Sequence, residues 1–261
     1  MDLGIKDKSA LVLGGGGGLG RAICVALARE GVKVTAADIS DEALSGTEAA
    51  VKAEGGTIRT VKWDLADLGS IEGHISAIEA AHGPVQILVN NTGGPPPTPV
   101  SGQSPDKWRS SFEMMVMSVV AITDRILPGM KAAKWGRIVT STSSGVVAPI
   151  PNLGLSNALR MTLVGWSKTL AREVARDGIT ANIILPGRVA TDRIRFLDEA
   201  KAKRENRSVE DVEAESTGSI PAGRYGRPEE YGDAVAFLAS ARASYITGST
   251  IRVDGGFIAS V

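Results

Sequence analysis

Five consecutive glycines, Gly14 to Gly18, then Leu19, Gly20 and Arg21, follow directly on the apolar run Leu11-Val12-Leu13. A strand that stops in such a turn and resumes as a helix can close its backbone N–H groups on a pyrophosphate, with the positive end of the helix dipole behind them. Two spacings fit the run: Gly15, Gly17 and Gly20 satisfy G-x-G-x-x-G, while Gly14, Gly18 and Gly20 satisfy G-x-x-x-G-x-G. The glycines alone do not choose between them. Asp38 stands 18 residues past Gly20, at the end of the next apolar run. A carboxylate there accepts hydrogen bonds from both ribose hydroxyls of adenosine and repels a 2′-phosphate. Neither Gly15 nor Ile39 supplies a cation for that phosphate, which favours NAD(H) over NADP(H).

These residues need strands to carry them. Apolar runs at Ala10–Leu13, Lys33–Ala37, Thr57–Lys62, Ile87–Asn90, Gly136–Thr140, Thr180–Leu185 and Thr250–Val253 predict about seven strands. Helical patterns alternate with them, at Arg21–Glu30, Asp41–Glu54, Asp67–His82, Pro105–Lys131, Leu155–Asp177 and Pro228–Ser240. Such alternation predicts an α/β fold, a doubly wound parallel sheet with helices on both faces. No linker divides the chain, so one domain over residues 1–261 is expected. Gly93-Gly94-Pro95-Pro96-Pro97-Thr98-Pro99 must be a stiff, non-helical loop leaving a strand end. Arg193 to Glu215 mixes charges of both signs with apolar Ile194, Leu197, Val209 and Val212. This predicts an amphipathic helical flap at about residues 191–217, placed to cover a cofactor crevice or lying as a solvated excursion.

Composition sets the outer limits. Twenty-nine Lys and Arg balance 29 Asp and Glu, leaving no electrostatic footprint for nucleic acid or a membrane surface. The single cysteine, Cys24, cannot form an intrachain disulfide and suits a reducing compartment. The N-terminal residues lack the apolar stretch of a signal peptide, and no run is long enough to span a bilayer, so a cytoplasmic protein is expected. His74 and His82 read as surface or capping residues, and no metal-ligand cluster is present.

Further motifs fall in a telling order. Asp64-Leu65 follows the third strand and Asn90-Asn91-Thr92-Gly93 the fourth; Pro186-Gly187-Arg188-Val189-Ala190-Thr191 follows the sixth, and Val253-Asp254-Gly255-Gly256 lies near the C-terminus. Together with the glycine turn, these resemble the short-chain dehydrogenase/reductase family, in particular its β-ketoacyl-acyl-carrier-protein reductase-like members. The resemblance covers essentially the whole chain and implies a Rossmann-type domain. It implies pyrophosphate contacts from Gly14, Gly18, Leu19 and Gly20, ribose recognition by Asp38, and adenine contacts near Asp64 and Leu65. Asn91 and Gly93 would lie near the ribose and sheet end, with Pro186, Gly187 and Thr191 near the nicotinamide. It also implies a tetramer or dimer, built through the long helix, the Leu155–Asp177 helix and the C-terminal strand.

The catalytic positions depart from the family. Its reductases use a Ser, a Tyr, a Lys four residues after the Tyr, and an Asn on the preceding long helix. Here Ser143 holds the serine position, but 13 residues later the chain reads Ser156-Asn157-Ala158-Leu159-Arg160. Tyr-x-x-x-Lys has become Ser156-x-x-x-Arg160, and the Asn position, counted from Trp108, falls on Met115. A phenol with a pKa of about 10 can protonate an alkoxide, whereas a serine hydroxyl is far less acidic. Arg160 remains a cation able to clamp ribose or substrate.

The expected catalytic set is therefore Ser143, Ser156 and Arg160, acting on a small carbonyl or secondary alcohol such as a 3-oxoacyl thioester. Arg160, Arg188 and Arg193 would gather on the substrate side and suit an anionic substrate or effector, unless Arg188 and Arg193 pair with Asp192, Asp198 or Glu199. The missing tyrosine, lysine and asparagine leave open a non-catalytic NAD-binding sensor or silent subunit. A lyase or isomerase without net redox change is a third reading.

Overall fold

Successive side chains along each strand alternate between two apolar layers, and this alternation fixes the architecture. In β1 (Ser9–Leu13), Ala10 and Val12 face one layer while Leu11 and Leu13 face the other. In β4 (Ile87–Asn90), Ile87 and Val89 face the first and Leu88 the second. A strand buried on both faces belongs in the middle of a parallel sheet. The computed structural model describes residues 1–261, and its seven strands are all parallel, in the order β3-β2-β1-β4-β5-β6-β7. The others are β2 (Lys33–Asp38), β3 (Ile58–Lys62), β5 (Gly136–Ser141), β6 (Ile179–Pro186) and β7 (Thr250–Val253).

The first layer is covered by α1 (Gly18–Arg29), α2 (Asp41–Ala53) and α9 (Pro228–Leu238), whose Ile23, Leu27, Leu44, Tyr231 and Val235 are buried against the sheet. The second lies under α3 (Ile71–His82), α5 (Ser118–Ala133) and α6 (Gly154–Val174), through Ile75, Ile78, Ile122, Ile126, Leu170 and Val174. Cys24 is buried in the first layer.

The expected helix over 105–131 is interrupted. It comprises α4 (Pro105–Phe112), one π-helical turn (Glu113–Met117) and α5, which runs on to Ala133 with Pro128 inside it. Apolar spacing cannot show an added backbone residue, because both halves keep helical periodicity. Met115 lies in this turn, wholly buried with Val116, Val119, Leu159 and Leu163. The flap segment forms two helices, α7 (Asp192–Glu205) and α8 (Val209–Gly218). No helix is long and apolar enough to cross a membrane.

β1 sits centrally, with β2 on one side and β4 on the other, so the chain reverses direction across the sheet at this point. The loops leaving β1 and β4 must diverge there and open a crevice at the carboxyl ends of the strands.

Candidate active site

Backbone geometry resolves the ambiguity of the glycine run. Gly14 and Gly18 have φ of +58° and +42°, where a side chain is strained. A Cβ on Gly20 would stand 1.9 Å from the Gly14 carbonyl oxygen. Gly17 meets nothing within 4 Å. A Cβ on Gly15 or Gly16 would also come within 2.8 Å of Ala36 or Ala43, so Gly17, the middle glycine of G-x-G-x-x-G, is the one position in the run with room for a side chain, and the G-x-x-x-G-x-G set Gly14, Gly18 and Gly20 fits throughout. α1 begins at Gly18, three residues before the expected Arg21, behind an N-cap glycine with no capping side chain, so its first N–H groups face the crevice without an internal acceptor. Leu19 is half-buried against the first apolar layer.

Side chains absent from the sequence-based expectation hold the turn. Thr47 Oγ1 on α2 lies 2.9 Å from the Gly15 carbonyl and 2.9 Å from that of Gly16, and Arg21 donates to Gly16 at 3.2 Å. Asn91 Nδ2 donates to the Gly14 carbonyl at 3.2 Å, tying the β4 end to the turn. No local signal announced Thr47, whose role depends on how α2 crosses α1.

Asp38 ends β2, and its carboxylate accepts from the backbone N–H groups of Gly16 at 3.0 Å and Ser40 at 3.1 Å. It thus faces the glycine turn. Asp64 accepts from its own Ala66 N–H at 2.9 Å, and Leu65 packs against the second apolar layer. Pro186 closes β6 in register with Val253, and Gly187 donates to the Val253 carbonyl at 2.9 Å. Thr191 caps α7, and its methyl lies 3.1 Å from where a Cβ on Gly18 would be. The β6 loop therefore reaches the glycine turn.

The catalytic candidates gather beside the β4 and β5 ends. Ser143 lies just beyond β5 in extended backbone, with Oγ accepting from the Gly145 N–H at 3.1 Å. Ser156 Oγ, on the first turns of α6, accepts from Arg160 Nε at 3.3 Å. Arg160 is buried, and its guanidinium donates to the carbonyls of Ser141 at 3.3 Å, Thr92 at 3.0 Å and Gly93 at 3.1 Å. Burial pushes its pKa down to about 10; Tyr231 opposes this shift and Arg193 adds to it. Gly93 serves the site through its carbonyl.

Arg188 is not part of a free cluster. It forms an ion pair of 2.6 Å with buried Asp198, whose other oxygen accepts from the Tyr225 hydroxyl at 2.7 Å. Arg193 instead donates to the Pro95 carbonyl at 3.1 Å, across the proline-rich loop. Tyr231 is wholly buried, its hydroxyl 2.8 Å from Ser141 Oγ, and burial raises its pKa. It stands behind the sheet end, closer to the site than its late place in the chain implies. His74 is not a plain surface residue: its ring lies 4.6 Å from that of buried Trp63. His82 Nδ1 lies 3.3 Å from Thr35 Oγ1.

A glycine turn at the switch point, a carboxylate at the end of β2 and a polar cluster beyond β4 and β5 find their match in known proteins. The family model described as enoyl-(acyl carrier protein) reductase matches residues 15–258. The chain belongs to the short-chain dehydrogenase/reductase family. It is 36% identical over 256 residues to the 3-oxoacyl-(acyl-carrier-protein) reductase FabG of Salmonella typhimurium, covering 97% of this chain and 98% of that one. The L-sorbose reductase of Gluconobacter frateurii, solved with NADPH and L-sorbose, superposes with a TM-score of 0.93 at 29% identity over the whole of both chains. An NAD+-bound xylitol dehydrogenase gives 0.89 at 27% identity, over 97% of this chain and 99% of that one. The short-chain family is one of NAD(P)-dependent oxidoreductases.

Proposed function

We propose that this short-chain oxidoreductase transfers hydride between NAD(H) and a small carbonyl or secondary alcohol, a 3-oxoacyl thioester being one candidate, through Ser143, Ser156 and Arg160. The observation that carries the reading is the state of the two hydroxyls. Each has an N–H donor on its oxygen, from Gly145 in one case and from Arg160 in the other. Each therefore keeps its own proton free to donate to a substrate oxygen, and Arg160 polarises the Ser156 hydroxyl further. A bound dinucleotide supplies the hydride. As negative charge grows on the carbonyl oxygen, two O–H donors and a buried cation stabilise it. The proton that completes the alcohol comes from water, since neither serine is acidic enough to give one up.

Cofactor choice rests on Asp38, whose carboxylate faces the glycine turn and forms no ion pair, so that it accepts ribose hydroxyls and repels a 2′-phosphate. The relatives take both forms, so this preference belongs to the residue rather than to the family. The flap role of α7 and α8 is supported by the bond from Arg193 to Pro95, which joins α7 to the loop beyond β4. Self-association is supported by exposed Phe112, Met117 and Met161 on the α4–α5 helix and on α6.

The test is a titration with NADH and, separately, NADPH, followed by fluorescence for binding and absorbance for oxidation, with ketones and 3-oxoacyl thioesters present. NADH should bind more tightly than NADPH, and Ser143→Ala should lower turnover by about 10²-fold or more. Saturable binding without oxidation of any panel member would sink the reductase reading, and tighter NADPH binding would sink the Asp38 argument.

A further inference from the structure

The substrate side holds two guanidinium groups with no acid to answer them. Arg160 directs its N–H groups at neutral acceptors only, one hydroxyl and three carbonyl oxygens. Arg193 donates to the Pro95 carbonyl, and its guanidinium carbon lies 5.6 Å from the centre of the Phe196 ring. Neither forms an ion pair, whereas Arg188 nearby is neutralised by Asp198. Burial lowers the pKa of both unpaired arginines, and the Arg193 charge lowers that of Arg160 further. Between them lies the bare face of Gly94. A Cβ there would stand 3.6 Å from Arg160 Nη2, 3.7 Å from Arg193 Nη2 and 3.9 Å from Ser156 Oγ.

Two cations converging on one point, partly withdrawn from water, carry a desolvation cost and a mutual repulsion. A single anion seated there removes both. A neutral thioester offers one weak acceptor and leaves the charges unanswered, whereas a carboxylate matches forked N–H donors. We propose that the Gly94 corner binds the carboxylate of a small oxo acid, with Arg193 as its donor and the buried Arg160 charge, whose Nη2 hydrogens are held by Thr92 and Gly93, adding electrostatic attraction. This names the substrate class within the reductase reading, on which it rests for the word substrate; the binding itself does not require turnover.

The experiment is calorimetry on protein saturated with NAD+, where an oxo acid cannot react. Pyruvate and acetoacetate are compared with their neutral amides, pyruvamide and acetoacetamide. The acids should bind at least about tenfold more tightly than the amides, and less tightly as salt rises. Arg193→Gln should weaken acid binding by about tenfold or more and leave the amides unchanged. Gly94→Ala tests the corner without threatening the fold, because its methyl meets only ordinary van der Waals distances and Gly94 does not have a positive φ. It too should cost acid binding, at an unchanged melting temperature. Equal affinity for acids and amides, or wild-type acid binding in both variants, would overturn the proposal. So would the absence of acid binding to protein that still binds NAD+. A loss of NAD+ binding itself would instead strike the cofactor reading, and the same acid series on the protein alone would then decide the corner.

Discussion

Arg160 does two things that a lysine in its place could not do together. Its planar fork reaches carbonyls on the ends of two neighbouring strands, and its Nε holds the Ser156 hydroxyl. A lysine has three donors on one point and cannot span these acceptors. Arg160→Lys is therefore expected to cost about 1–3 kcal/mol of stability, because buried carbonyls lose their partners. Urea unfolding checks this, and an unchanged midpoint would show that the fork is not a brace. The two serines and Asp38 follow a different logic, since each is held by backbone N–H groups or a neighbouring side chain.

At the scale of elements, ion pairs join α7 and α8 beside their buried Ala202 and Val212. Lys201 on α7 and Arg207 after it both reach Glu215 on α8. Hydrogen bonds from these two cations draw the Glu215 pKa down to about 2, from an ordinary value of 4.5. A carboxyl with a lowered folded pKa contributes its stabilisation fully above the unfolded value and loses it as pH falls through the folded one. The α7–α8 link should therefore hold at pH 5 and above, and weaken between about pH 4.5 and pH 2. Hydrogen exchange should show α8 amides losing protection in that window before those of α1, and parallel loss in both would refute a locally held flap.

These elements also mark what could be read in advance. Strands β4 and β7 lie where apolar runs place them, and the glycine turn and Asp38 declare themselves, because each depends on residues adjacent in the chain. The sequence leaves the pairing of Arg188 with Asp198 undecided, since it depends on how α7 lies over the β6 loop. Thr47 holding the Gly15 and Gly16 carbonyls, and Tyr231 reaching Ser141, were invisible for the same reason. Each is a contact between distant segments, which periodicity does not encode.

For the whole molecule, the two-layered core accounts for the fold, and what it leaves uncovered predicts assembly. Phe112, Met117 and Met161 lie exposed on helices that pack together, next to half-buried Trp108 and Trp166. Covering such a face removes apolar area from water at about 25 cal/mol per Å². The chain is expected to sediment as a dimer or tetramer, and Met161→Glu to shift it toward monomer at micromolar concentration. A wild-type monomer in analytical ultracentrifugation would leave that face without its explanation.

The dry surroundings of Met115 set how far the neighbourhood of the candidate site can be altered. An asparagine placed there would put a polar amide among Val116, Val119, Leu159 and Leu163, at a cost of about 1–3 kcal/mol if its amide goes unpaired. Arg160 is likewise built into the strand ends. A polar substitution at either position would therefore be felt first in the melting temperature, before any effect on a reaction. Packing at these two places thus sets the limits within which the site's polar groups can be changed without loss of the fold.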